Sequence, residues 1–277
     1  MSDTEYKDIV LEIAGKIGII KFNRPHALNS FGGKLLQETI NALRDLNEHP
    51  DTIFTVLTGE GRFFSAGADI RGNGVSNFEA FETNAEAKLA FSRKLLDGVE
   101  LLRSIIDHKK VFVLALNGPG VGGGAAWFSG IADLVFAAEN TFLQVPFSAL
   151  GLVPENGSAI NFAQSMGVHR TNEFLMFGRR LTAQELEQYG VVNKIFPTEG
   201  FQDSVKGYLQ KQINTNDGKS MLEMKRLQNA PLRDVRMLAV HDSMDALAER
   251  FVEGAPFERF ALKKQELEAK SKNSSKL

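Results

Sequence analysis

The chain has 277 residues, 43% of them hydrophobic and 24% charged, with a formal net charge of −2 and no cysteine. This is enough chain and apolar content for a real core, and it excludes disulfides, thiolate metal sites and cysteine nucleophiles. Near-balanced charge leaves no electrostatic case for nucleic acid or an anionic membrane as partner.

The N-terminus, Met1-Ser-Asp-Thr-Glu-Tyr6, is acidic and polar, so no signal peptide is expected. Ile9, Leu11 and Ile13 alternate with polar or small residues, Gly15-Lys16 interrupts, and Ile17 to Phe22 resumes, which predicts a hairpin. Asn29-Ser30 is placed to cap a helix carrying Leu35, Leu36, Ile40, Leu43 and Leu46 on one face. A buried strand over 53–57 leads into the loop Thr58 to Asp69, and residues 72–110 read as helical. The run 111–116 is a strand, far short of the ~20 residues a membrane span needs, and it ends in Asn117-Gly-Pro-Gly-Val-Gly-Gly-Gly124. A short helix over 125–131, a strand over 133–137, an extended piece over 141–145 and a helix from Gly157 follow. Thr182 and Glu185 have capping-box spacing, and Gly190 is a helix stop. The last strand expected is 191–196; beyond Pro197 the pattern is helical. The class is α/β, divided into a core over 1–199 and a helical region with an exposed tail over 200–277.

Gly118-Pro-Gly120-Val-Gly-Gly123 matches the dinucleotide fingerprint G-x-G-x-x-G, and Glu139 stands 21 residues after Gly118. Its position after 117 residues, the short following helix and the lack of a second nucleotide-binding half weigh against that reading. The same glycines serve a different chemistry. They let a backbone approach a ligand closely and aim N–H groups at it. Ser65-Ala66-Gly67-Ala68 is a second loop of small residues, also between a strand and a predicted helix. Two such loops can each give one N–H to a single oxygen, forming an oxyanion hole. Downstream lies one acid among apolar residues, Glu155 in Leu150-Gly-Leu-Val-Pro-Glu-Asn-Gly157.

Phe64-Ser-Ala-Gly-Ala-Asp-Ile70 and Asn117 to Ala126 resemble the paired oxyanion-hole loops of the crotonase (enoyl-CoA hydratase/isomerase) superfamily. The resemblance extends through Asn23-Arg-Pro-His-Ala-Leu-Asn29, Asp133 to Ala138, Leu181 to Pro197 and Phe251-Val-Glu-Gly254, covering about residues 8–262. It implies a spiral of repeated ββα units with a C-terminal helical region, assembled as a homotrimer or homohexamer. It also implies that the Ala68 and Gly123 N–H groups are the oxyanion donors. Ser65, Ala66, Gly67, Asp69 and Ile70, with Phe147, would line the site for an acyl-CoA thioester. Coenzyme A is then part of the substrate, and no separate cofactor or metal is expected.

Hydratases of this family use two glutamates, at positions occupied here by Ala126 and Phe147. Glu155 instead matches the single glutamate of Δ3,Δ2-enoyl-CoA isomerases. Dienoyl-CoA isomerases pair such an acid with one at the position of Phe147. One base suffices for a 1,3-proton shift from C2 to C4, so isomerisation of 3-enoyl-CoA in β-oxidation is the expected activity. The rivals are another acyl-CoA reaction (hydration, hydrolysis or a specialised step) and a silent acyl-CoA-binding subunit. Apolar neighbours should raise the pKa of Glu155 while the next helix N-terminus lowers it.

Several other residues read as structural. Asp69 is expected to be a cap and Trp127 core packing, and the histidines 26, 49, 108, 169 and 241 show no metal spacing. Lys263 and Lys264 read as a solvated face. Asn156 departs from the glycine common in related isomerases. Ser275-Lys276-Leu277 has the form of an address read by the peroxisomal import receptor, so the peroxisome is the expected compartment.

Overall fold

The computed structural model describes residues 5–69 and 81–274, so Ile70 and the Ser275-Lys276-Leu277 tripeptide lie outside the described residues. In chain order the strands are β1 (Ile9–Ala14), β2 (Ile17–Phe22), β3 (Phe54–Gly59), β4 (Val111–Leu116), β5 (Gly120–Val121), β6 (Leu134–Ala138), β7 (Phe142–Gln144), β8 (Leu181–Thr182) and β9 (Lys194–Phe196). The helices are α1 (Leu35–Glu48), α2 (Asn84–Ile106), α3 (Gly123–Ala126), α4 (Ser158–Met166), α5 (Val168–Phe177), α6 (Ala183–Gln188), α7 (Phe201–Thr215), α8 (Gly218–Asn229), α9 (Arg233–Val252) and α10 (Ala255–Ser274).

The main sheet has the order β1-β2-β3-β4-β6-β9. β1 and β2 form the expected antiparallel hairpin, Ile9 opposite Phe22, and all further pairs are parallel. Parallel strands need crossovers on the sheet faces, and β3 and β4 are accordingly buried at every residue. Phe112, Leu114 and Leu116 join the larger core with Leu43 and Leu46 of α1 and Leu101, Leu102 and Ile105 of α2. Val111, Val113 and Ala115 turn to the other face, where Phe201, Val205 and Leu209 of α7 cover them. A smaller sheet, β5-β7-β8, lies apart from the main one.

Asn29-Ser30 does not cap α1, which starts at Leu35 after Lys34. Asn29 is in the left-handed region (φ 52) with its amide committed elsewhere. The carboxylate of Asp8, remote in sequence, takes the Lys34 N–H at 2.7 Å. The predicted helix over 125–131 is the four-residue α3 followed by a turn, because β5 interrupts the glycine run ahead of it. That break also removes the dinucleotide geometry, which needs a continuous strand–turn–helix. The Thr182–Glu185 capping box is present in both directions. α5 was not foreseen: its polar stretch His169 to Glu173 hides Thr171, Phe174 and Leu175, which alone are buried.

Below the sheet, His108 is 3% exposed and its Nε2 lies 2.8 Å from Thr55 Oγ1. Burial, then the cations Lys225, Lys110 and Lys109, push its pKa from 6.5 down to about 3. The folded state therefore refuses a proton that the unfolded chain accepts below about pH 6.5, so stability falls as pH drops through that value. At pH 5 the loss from this group is about 2 kcal/mol. His108→Gln should remove that part of the acid sensitivity, measured as urea midpoints at pH 5 and 7.5. An unchanged pH dependence would contradict it.

Candidate active site

The site is built where β3 and β4 end, at the carboxyl edge of parallel strands where loops can diverge around a crevice. Two buried-side amides sew those loops together. Asn29 Nδ2 donates to the carbonyls of Glu60 and Phe63, both at 2.9 Å, and its Oδ1 accepts the Arg24 N–H. Asn117 Oδ1 accepts the Gly59 N–H at 3.0 Å while Nδ2 donates to the Gly61 carbonyl at 2.9 Å.

The small-residue loops then meet. Val121 N–H donates to the Ser65 carbonyl at 2.9 Å and Phe31 N–H to the Gly67 carbonyl at 2.7 Å. Ser65 Oγ donates to the Asn29 carbonyl and accepts the Gly67 N–H at 3.1 Å, bracing its own loop. Gly67 has φ +77, and a Cβ there would stand 2.5 Å from the Val121 carbonyl oxygen and 3.0 Å from the Gly123 nitrogen. Gly123 is the first residue of α3, so its N–H has no acceptor within that helix. Among the described residues neither it nor the Ala68 N–H meets a backbone carbonyl.

Glu155 reaches the same place from the other side. Trp127, just after α3, donates its Nε1–H to Glu155 Oε2 at 2.8 Å. A Cβ on Gly123 would lie 3.0 Å from that same Nε1 and 2.8 Å from Phe31 Cε2. The Trp127 and Phe31 rings pack with centroids 4.6 Å apart. The indole therefore joins the acid to the glycine loop. Behind it, Gly98 in mid-α2 gives clearance, since a Cβ there would be 3.0 Å from Asn156 Nδ2 and 3.2 Å from Trp127 Cη2. A glycine inside a helix costs about 1 kcal/mol, and here that cost makes room for the ring.

Glu155 is half-buried. Burial raises its pKa from 4.5 to about 7, with the Trp127 hydrogen bond opposing. The helix N-terminus expected to lower it lies beyond the acid in the chain. α4 begins at Ser158 with Gly157 as its cap, so Glu155 stands outside the first turn. Gly157 is held by its N–H to Ser243 Oγ of α9 at 2.9 Å, and Asn156 adopts a left-handed φ of 49.

Among the sequence-predicted residues, Gly67, Ala68, Gly123 and Glu155 gather around this junction. Ser65 is fully buried, Ala66 is partly buried with its N–H on the Leu28 carbonyl, and Phe147 is 2% exposed in the main core. Ala126 is 1% exposed beside them. Asp69 pairs with Arg24, Oδ2 to Nη2 3.7 Å, and the residues that it would cap lie outside the described residues. Lys263 is exposed on α10. Trp127 was missed as more than packing. Its one signal in the sequence is that the chain's sole tryptophan follows the glycine loop.

A mostly parallel sheet covered on both faces, with two glycine-lined loops and one half-buried acid gathered beside them, is the arrangement of a crotonase-type fold. A solved structure of an enoyl-CoA hydratase/isomerase from Pseudoalteromonas atlantica superposes with TM-score 0.80 over 94% of this chain and 98% of that one, at 22% identity. The family described as "Enoyl-CoA hydratase/isomerase" matches residues 12–254, and the chain belongs to it. Similar curated proteins include a "Delta(3,5)-Delta(2,4)-dienoyl-CoA isomerase" of Pyricularia oryzae, 32% identical over 90% of this chain and 94% of that protein. "Enoyl-CoA delta isomerase 2" of Rattus norvegicus is 34% identical over 73% of this chain, which spans about half (49%) of the rat protein. The "3,2-trans-enoyl-CoA isomerase" of Saccharomyces cerevisiae is 28% identical over 91% of this chain and 92% of its own length.

Proposed function

We propose that this protein is a Δ3,Δ2-enoyl-CoA isomerase, converting cis- or trans-3-enoyl-CoA to trans-2-enoyl-CoA with Glu155 as its one base. The observation that carries the reading is an acid tied by Trp127 to the Gly67–Gly123 junction, where burial pushes its pKa up to about 7. Buried apolar Ala126 and Phe147 stand where second acids would be. A group poised near neutrality can both take and return a proton. Ionised Glu155 removes a C2 proton, and the C–H electrons form C1=C2 as the carbonyl becomes an enolate. The Ala68 and Gly123 N–H groups hold the enolate oxygen. The protonated acid then delivers the same proton to C4, leaving C2=C3 and restoring the carbonyl. Neither of the two positions that would serve water carries an acid, so hydration is not expected.

The reading extends to the peroxisome, supported by the name of "Enoyl-CoA delta isomerase 3, peroxisomal" of Mus musculus, 32% identical over 73% of this chain. It also extends to a homotrimer or homohexamer. Exposed Val168, Met176 and Phe177 on α5 support burial against another copy.

The test is a comparative assay of 3-hexenoyl-, 2-hexenoyl- and 3,5-dienoyl-CoA. Conversion of the 3-enoyl substrate alone, lost in Glu155→Gln, is expected. No turnover of any 3-enoyl-CoA by the wild type sinks the isomerase, and tight acyl-CoA binding without C2 proton exchange then favours a silent binding subunit. Likeness to the Pyricularia protein favours a second reading, dienoyl isomerisation. Faster turnover of the 3,5-dienoyl substrate would establish that one instead.

A further inference from the structure

We infer that Trp127 is a positioning residue that decides which oxygen of Glu155 carries the transferred proton, an inference resting on Glu155 as the base. An indole N–H donates and never accepts. At 2.8 Å it occupies Oε2 when the carboxylate is ionised. When the acid is protonated, its carbonyl oxygen is the better acceptor for the same N–H, so Oε2 keeps that role and the proton stays on Oε1. Oε1 has no described hydrogen-bond partner, and the residue is half-buried. The proton thus arrives on and leaves from the oxygen that the indole leaves unbound, and the carboxyl need not rotate between C2 and C4.

The surroundings favour this control. Phe31 packs on one face of the indole, and Gly98 leaves room for its far edge. The described groups packed on Trp127 and on the segment that carries Glu155 are uncharged: Phe31 and Gly98 against the indole, Asn156 next in the chain, and Ala239 and Ser243 of α9 against Gly157. Asp97 on α2 and His241 and Asp242 on α9 are exposed, and Arg250 is occupied with the Gly151 carbonyl. A change in the indole's partner upon titration is therefore due to Glu155.

The chain has a single tryptophan, so its fluorescence reads this bond without substrate. Emission of the full-length wild type should titrate with a midpoint near 7, and Glu155→Gln should abolish the transition. In Trp127→Phe, which keeps the ring stack but deletes the donor, the midpoint of kcat/KM against pH should move up by about one unit. Its kcat at pH 7 should fall about tenfold or more with KM nearly unchanged. Gly98→Ala, which presses on the ring, should shift the profile the same way while thermal melts report whether either variant folds. A flat wild-type emission between pH 5.5 and 8.5, or a wild-type profile in Trp127→Phe, overturns the inference. A fluorescence transition without turnover of 3-enoyl-CoA would leave the Trp127–Glu155 coupling standing and remove the isomerase reading. Turnover dependent on Glu155 with flat emission would do the reverse.

Discussion

Glu155→Gln is expected to lower 3-enoyl-CoA isomerisation about a thousandfold, the scale on which positioned general bases act, with KM changed little. Glutamine has nearly the same volume, and its carbonyl oxygen can still accept the Trp127 N–H. Only the basic lone pair that removes the C2 proton is lost. In the wild type the base must be ionised, so kcat/KM should climb with pH through about 7. A rise that persists in Glu155→Gln would assign the ionisation to another group.

The same substitution carries a second, independent readout. A carboxyl raised from 4.5 to about 7 binds a proton in the folded state where the unfolded chain has lost it. Stability therefore falls as pH rises from about 4.5 and the loss is complete above about 7. Because the side chain is partly open to solvent, the cost is about 1–3 kcal/mol. Glu155→Gln should gain stability over wild type at pH 8 but not at pH 4.5, measured by urea midpoints. His108 acts in the opposite direction, losing stability as pH falls from 6.5. Between 4.5 and 6.5 the two effects oppose, so wild-type stability looks nearly flat there and only the separate variants expose each one. A gain in Glu155→Gln that is the same at both pH values would mean the acid ionises at an ordinary value.

The longer strands and most helices were legible because hydrophobic period and glycine breaks are local signals, whereas the two-residue strands β5 and β8 carry no such period. Glu155 was legible for a similar reason, set in an apolar run just before a helix. What escaped was tertiary. Asn29 looks like a cap in sequence, yet its amide is used by carbonyls at residues 60 and 63, brought there only by the return of the chain after β3. Trp127 and Glu155 are 28 residues apart, on a segment following a four-residue helix and on a loop, so no periodicity links them. The direction of the Glu155 shift followed from its neighbours. The balance of its causes required knowing that α4 starts at Ser158, beyond the acid. The bracing role of Ser65 was not legible either, because its hydroxyl donates to the Asn29 carbonyl, 36 residues away in sequence, while accepting the Gly67 N–H.

Gly67→Ala should produce the other large loss, about 10²–10³ in kcat/KM, as when one oxyanion donor is removed. Two costs are mixed in this substitution. The left-handed φ of +77 costs a side chain about 1–2 kcal/mol, and the new Cβ would press within 2.5 Å of the Val121 carbonyl. That carbonyl cannot retreat freely, since Val121 N–H is bound to Ser65 and the next N–H, of Gly122, to the Gln144 carbonyl. The loops must part, carrying the Ala68 and Gly123 N–H groups away from a shared oxygen. Gly122 separates the two costs: its φ is +57, but a Cβ there meets nothing within 4 Å. Gly122→Ala should therefore lose at least as much stability, because its ψ of −128 puts it outside the left-handed well that a side chain tolerates best, while keeping activity within about tenfold. If Gly67→Ala folds and turns over 3-enoyl-CoA at the wild-type rate, the close approach of these loops is not what stabilises the enolate. If both variants lose activity equally, backbone strain accounts for the effect and the collision does not.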